Sequence, residues 1–251
     1  MWWSRSSGRR KPEKPCSVPT TDGTLRGEGL ILDNLQRVTQ PTGAAFITVD
    51  QDGQNRIVVS PGANAVLTSA RLPSDLERTD WLLMQLEVPL DTVRMAASRV
   101  RNGGGRVVLN AAPATVLPAE LLEALDYLVV NETEAGELLG GPAPADFEQA
   151  LQAAERLRGA DSTTIVTLGD RGAVWAAPAG SGQVEAYTVA VVDTTACGDS
   201  FVGTLVWALS ENEPLEQAMK LANAAGALTA TRAGAQPSLP DLNELRRFAS
   251  I

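Results

Sequence analysis

Histidine is missing altogether from the 251 residues of this chain. Its absence removes Ser-His-Asp and Cys-His nucleophilic systems and His-ligated zinc at once. Cysteine is nearly absent too: Cys16 and Cys197 are the only two, which excludes a disulfide framework and agrees with a reducing compartment. No run approaches the roughly 18 apolar residues of a membrane span, and no apolar segment follows the early arginines as a secretory signal would require. Positive charge is in deficit, with a net charge of −9. The chain as a whole therefore has no electrostatic footprint for nucleic acid or an anionic membrane, and a cytoplasmic location is expected. Proton transfer falls to carboxylate, lysine, cysteine or tyrosine, and carboxylates are the most numerous.

The positive charge that exists is unevenly placed. Arg5, Arg9, Arg10, Lys11 and Lys14 stand against Glu13 in the first fifteen residues, a net +4 that leaves −13 for the remainder. Residues 1–24 thus read as a disordered tail, and residues 25–251 as the domain. Within the domain, two strands, Ala44–Val49 and Asn55–Ser60, flank an Asp52-Gly53 turn. Apolar strand candidates follow at 80–87, 106–113, 127–134, 163–172, 172–177 and 184–192. Helical patterns lie between them, such as 91–101 and 145–159. In the latter Phe147, Leu151, Ala154 and Leu157 share one face. Continuous apolar strands separated by amphipathic helices indicate a parallel sheet covered on both sides. The expected fold is a doubly wound, mostly parallel α/β sheet with a small hairpin near its start.

Ligands of such sheets bind beyond the C-terminal strand ends. The polar residues there are Glu87, Asn110, Asn131 with Glu134, Gly169 to Gly172, and Asp193 through Asp199. The stretch "VVDTTACGDSFVGTLVWAL" is the most informative, because a glycine and a carboxylate open an apolar helical pattern. A helix start presents unpaired N–H groups and partial positive charge, and Gly198 lets backbone approach a ligand closely. Asp199 there either complements the helix end or serves as a general base beside a phosphate. Glu134 is likewise a first-turn helix acid or a site residue. The "TLGDRG" segment is a plain turn or a ligand-facing one, and Asn223 is merely exposed or part of the site. Cys197 is a small residue fitted to a tight turn, or a thiol activated by the helix N-terminus.

"DTTACGDSFVGTL" resembles the C-terminal signature of the PfkB sugar kinases, with alanine as the first residue of the G-A-G-D run. "PTGAAFITVDQDGQNRIVVSPGAN", "MQLE", "LNAAP", "NETEAGELLG", "TLGDRGA" and "ATRAGAQPS" are similar to segments of the ribokinase branch, in the same order. This resemblance implies ATP-dependent phosphorylation of a primary hydroxyl on a pentose, ribose to ribose 5-phosphate. Asp199 would be the base, and the N–H groups of Ala196, Cys197, Gly198 and Asp199 an anion hole. Glu87 would meet the sugar. Asn131 would help hold the phosphates, with Glu134 on the water shell of Mg²⁺. Thr167, Leu168, Gly169, Asp170, Arg171 and Gly172 would lie against the nucleotide, with Asn223 near the adenosine. Asp193, Thr195, Thr229, Arg232, Gly234 and Ser238 match a loop that binds a monovalent cation, K⁺. The implied partners are ATP and a small sugar, with a homodimer formed through the lid hairpin.

One part of the family pattern has no counterpart in this sequence. Ribokinases begin with a strand bearing a sugar-binding aspartate, lid strands and a "GGKGAN" segment. Here the only "GG" pairs stand in "RNGGGRV" and "LGGP". The expectation is a sheet with exposed ladder groups where that strand would pair. The nucleotide half is intact by the same comparison, so a catalytically impaired, nucleotide-binding remnant, or an incomplete chain, is the alternative reading.

Overall fold

The computed structural model describes residues 2–3, 21–49 and 55–249. The strand pair β1 (Trp2–Trp3) and β2 (Ala44–Val49) is parallel, and β2 pairs antiparallel with β3 (Asn55–Ser60), a three-stranded lid sheet. The expected Asp52-Gly53 turn and most of the expected tail lie outside the described residues. Helix α1 (Thr21–Gly27) already begins inside the segment assigned to the tail.

The main sheet runs in the order β4 (Trp81–Met84), β5 (Arg106–Asn110), β6 (Tyr127–Asn131), β7 (Thr163–Thr167), β8 (Gly172–Ala177) and β9 (Gly180–Glu185). Strands β4 to β7 are parallel, while β8 and β9 are antiparallel additions. Helices α2 (Leu90–Asn102), α3 (Ala119–Glu123), α4 (Glu132–Leu139) and α5 (Phe147–Leu157) make the crossovers. They cover the face that carries Val107, Leu109, Leu128, Val130 and Val166. The alternate residues Val108, Val129 and Ile165 face α6 (Cys197–Ser210), α7 (Leu215–Ala230) and α8 (Leu242–Ala249). Period-two side-chain direction thus divides each apolar run between two cores, which is why these strands read as continuous rather than alternating. Leu205 of α6 and Met219 of α7 are fully enclosed, each worth about 1.5–3 kcal/mol of burial.

Helices cover both faces, as expected, but the strand order advances in one direction, and the second layer comes entirely from the C-terminal helices. Several strand ends are shorter than their apolar runs. The 127–134 run stops at Asn131 because Asn131 and Glu134 form a capping box that starts α4. The 80–87 run is strand only to Met84, the 106–113 run only to Asn110, and the 163–172 run breaks after Thr167 into a single 3₁₀ turn, Gly169–Arg171. The 184–192 run leaves the sheet at Glu185. Beyond it Tyr187 packs on Phe248, and the Val192 N–H donates to the Ala230 carbonyl, carrying the chain onto the helical layer. Among the described residues β4 has a partner on one side only, and Leu83 on it is 41% exposed. No helix of the described residues is long and apolar enough to cross a membrane.

Candidate active site

Helix α6 starts without a side-chain cap. Its N-cap, Ala196, has no polar group and sits in the left-handed region at φ 61, ψ 8. The Cys197 N–H donates to the Thr194 carbonyl at 3.3 Å, so it is partly engaged and does not point freely outward. The Gly198 and Asp199 N–H groups find no acceptor among the described residues. A Cβ built on Gly198 would meet nothing within 4 Å, and Gly198 lines an open cavity. The helix thus offers two free N–H groups and its positive end to an anion. Of the four donors expected, Cys197 is the one engaged within the protein, and the Ala196 N–H has no acceptor among the described residues either.

The left-handed Ala196 has a cost that glycine would not carry, about 1 kcal/mol net of the extra unfolded-state freedom of glycine. Ala196→Gly is expected to raise the melting temperature by about 2–4 °C with turnover retained. A fall in melting temperature by calorimetry would contradict this account of the turn.

Two cavities meet at this helix start. The first, about 510 Å³, is lined by Asn64, Gln85, Glu87, Asn110 and Asp199. The second, about 480 Å³, is lined by Thr167, Gly169, Asp170, Gly172, Cys197, Gly198 and Asn223. Asp199 therefore belongs to one cavity while its neighbour Gly198 opens onto the other. Burial, together with the nearby Asp199 charge, pushes the Glu87 carboxyl above the usual carboxylate range. Burial, then Asp193, pushes the Cys197 thiol up as well. That direction agrees with Cys197 as a small residue fitted to the turn rather than an activated thiol.

The remaining sequence-selected residues divide into those that face the second cavity and those committed elsewhere. Asn223 is not an exposed helix residue. It is 8% exposed and donates to the Glu185 carbonyl at 2.6 Å, tying α7 to the end of β9 at the cavity wall. Leu168 is buried in the core below the turn. Arg171 donates to the Ala145 carbonyl and lies 3.7 Å from Glu132. Asn131 and Glu134 line neither cavity. Their side chains are held in the capping box, although Asn131 is in register beside Thr167. Glu134 is also pushed up, chiefly by burial.

The 193–195 turn is closed by Asp193, whose Oδ1 accepts from Thr195 N–H and Oγ1 at 2.9 and 2.6 Å. Its Oδ2 accepts from Gly234 N–H at 3.0 Å, joining this turn to the 229–238 segment. In that segment Thr229 donates to Ala225, Ser238 to Ala235, and Arg232 to Glu244. These side chains are spoken for, so any cation there would be held by backbone carbonyls. Among the described residues no three of Cys, Asp and Glu converge as a metal cage.

The helix start with its carboxylate and two cavities lies within residues 22–242, which match the pfkB family carbohydrate kinase pattern. The chain belongs to the pfkB family of carbohydrate kinases. It is 38% identical to a ribokinase of Haemophilus influenzae, over 91% of this chain and 76% of that protein. A ribokinase structure from Thermotoga maritima superposes with a TM-score of 0.77 at 34% identity, over 93% of this chain and 79% of that one. An Arabidopsis thaliana ribokinase complexed with ribose and ATP gives a TM-score of 0.77 at 31% identity, over 85% of this chain and 70% of that one. The chain is a carbohydrate kinase, and its ribokinase-like fold agrees with the α/β reading of the sequence. The pfkB resemblance did not single out Gln85 or Asn64, which line the first cavity. Gln85 sits inside the quoted "MQLE", and its position just past the C-terminal end of β4 was the signal available.

Proposed function

We propose that this pfkB kinase transfers the γ-phosphoryl group of ATP to the primary hydroxyl of ribose, giving ribose 5-phosphate and ADP. The observation that carries the reading is the placement of Asp199 in one cavity and the open Gly198 N–H on the other, one residue apart. The sugar belongs in the cavity with Glu87 and Asp199, and the nucleotide in the cavity with Thr167, Gly169, Asp170, Gly172 and Asn223. Asp199 takes the hydroxyl proton as the sugar oxygen bonds to the γ-phosphorus and the bond to the β–γ bridging oxygen breaks. The Gly198 and Asp199 N–H groups stabilise the charge on the transferred group. The ribokinase solved with ribose and ATP, similar over 85% of this chain, supports the choice of sugar and nucleotide.

Mg²⁺ would enter as an ion carried by the phosphates and water, with Glu134, outside both cavities, reaching it only through water. Glu134 Oε2 accepts from the Asn131 N–H at 2.8 Å, which leaves Oε1 for a metal-bound water. When bound, the ion neutralises phosphate charge. A K⁺ ion would lie among backbone carbonyls of the Asp193–Gly234 junction, and through that turn would bear on the start of α6. The 66% exposed Val58 and 50% exposed Val59, neighbours on β3 that point to opposite faces, support a second copy at the lid hairpin.

ADP release in the presence of Mg²⁺ and K⁺ tests the reading. It is expected to require ribose. Release that ignores ribose would refute the sugar assignment. A rise in melting temperature with ATP but no release would favour a nucleotide-binding remnant.

A further inference from the structure

Two side-chain amides connect Asp199 to the centre of the sheet. The Asn110 Nδ2 group donates to the Val129 carbonyl on the neighbouring strand β6 at 3.2 Å. That bond turns Asn110 Oδ1 towards Gln85, whose Nε2 donates to it at 3.2 Å. The second N–H of the same Nε2 donates to Asp199 Oδ1 at 3.1 Å. Only one orientation of each amide satisfies the chain, because reversing Gln85 would set its carbonyl oxygen against both Asn110 Oδ1 and the carboxylate. Asp199 Oδ2 has no hydrogen bond among the described residues.

We infer that Gln85 is a positioning residue for phosphoryl transfer, holding Oδ1 of Asp199 so that Oδ2 alone is presented to the sugar hydroxyl. Three features of the site converge on this role. Asp199 is an exposed side chain in the first turn of a helix, with no cation paired to it among the described residues, and it would otherwise sample several rotamers. Gln85 is half-buried at the end of β4, so its own position is set by the sheet. Among the described residues Glu87 is the only other charged side chain lining this cavity and carries the same sign, so Gln85 supplies a polar donor that neither carboxylate can.

Resting as it does on Asp199 as the base, the inference is tested with Gln85→Met, Gln85→Glu and Asp199→Asn measured together for kcat and for KM of ribose and of ATP in ribose-dependent ADP release. Gln85→Met is expected to lower kcat about 10- to 100-fold while KM for ATP stays within about threefold. KM for ribose should likewise stay within about threefold, because only the orientation of the carboxylate is lost. Gln85→Glu should lower kcat at least as far, since it replaces the donor by a third carboxylate in the cavity. A kcat equal to wild type in Gln85→Met would overturn the inference, and so would a rise in KM for ribose alone, which would make Gln85 a sugar ligand. If either result accompanies an inactive Asp199→Asn, the base assignment stands and only the role of Gln85 falls. Wild-type turnover in Asp199→Asn would remove the base reading itself.

Discussion

Replacing Asp199 by asparagine is expected to lower kcat for ribose phosphorylation by about 10²- to 10⁴-fold, the usual contribution of a positioned general base. The two side chains have nearly the same shape, so the helix start and the Gly198 N–H remain in place. The asparagine would turn its carbonyl oxygen to the Gln85 Nε2 donor that now meets Oδ1 at 3.1 Å, because the reverse orientation would face two N–H groups against each other. That leaves an NH₂ group where the hydroxyl proton should go, and no acceptor. Nucleotide affinity should stay close to wild type, since the second cavity is untouched. The measurement is steady-state turnover alongside ATP binding by calorimetry. A variant with kcat within about threefold of wild type would show that the proton leaves by another route.

The second large effect is on stability. Gly172 opens β8 at φ 111, ψ −135, a conformation L side chains rarely adopt, and a Cβ there would lie 2.0 Å from the Val184 carbonyl oxygen on β9. Backbone cannot yield as a flexible side chain would, so the β8–β9 pairing must shift. Gly172→Ala is expected to cost about 2–4 kcal/mol, from conformational strain and the clash together. The melting temperature should fall by about 5–12 °C on thermal denaturation. An unchanged melting temperature would contradict this reading and leave Gly172 as a ligand-facing residue only. The family resemblance assigned this glycine to the nucleotide. The structure gives it a second reason to be glycine, the antiparallel turn from β7 into β8.

The two cases differ in how far sequence reading could go. Asp199 was legible because its signal is local: an apolar helical pattern opening on Gly-Asp after a β-branched run. The capping box at Asn131 and Glu134 was equally local, three residues apart, and its alternative as a first-turn acid is the geometry observed. Strand ends were less legible. Apolarity continues past the last ladder bond wherever the chain leaves the sheet to pack on a helix, as Tyr187 does on Phe248. Cys197 kept two readings in the sequence, a small turn residue or an activated thiol, because its helix position is visible there and its partial burial is not. Asn223 looked ambiguous on an alanine-rich helix, since only the approach of β9 to α7 supplies its partner.

Composition and periodicity by themselves determined the layered fold and narrowed the chemistry. Without histidine, proton transfer falls to carboxylate, lysine, cysteine or tyrosine, and apolar runs alternating with amphipathic helices require a sheet covered on both faces. Side-chain periodicity and helix-end chemistry act over a few residues, so they can be read along the chain. Tertiary structure alone decided which groups share a cavity. Gln85 and Asp199 are 114 residues apart and meet because parallel strands end at one rim of the sheet, where α6 begins. No local pattern encodes such a meeting. It follows from the register of β4, β5 and β6 and from the packing of the C-terminal helices on the opposite face.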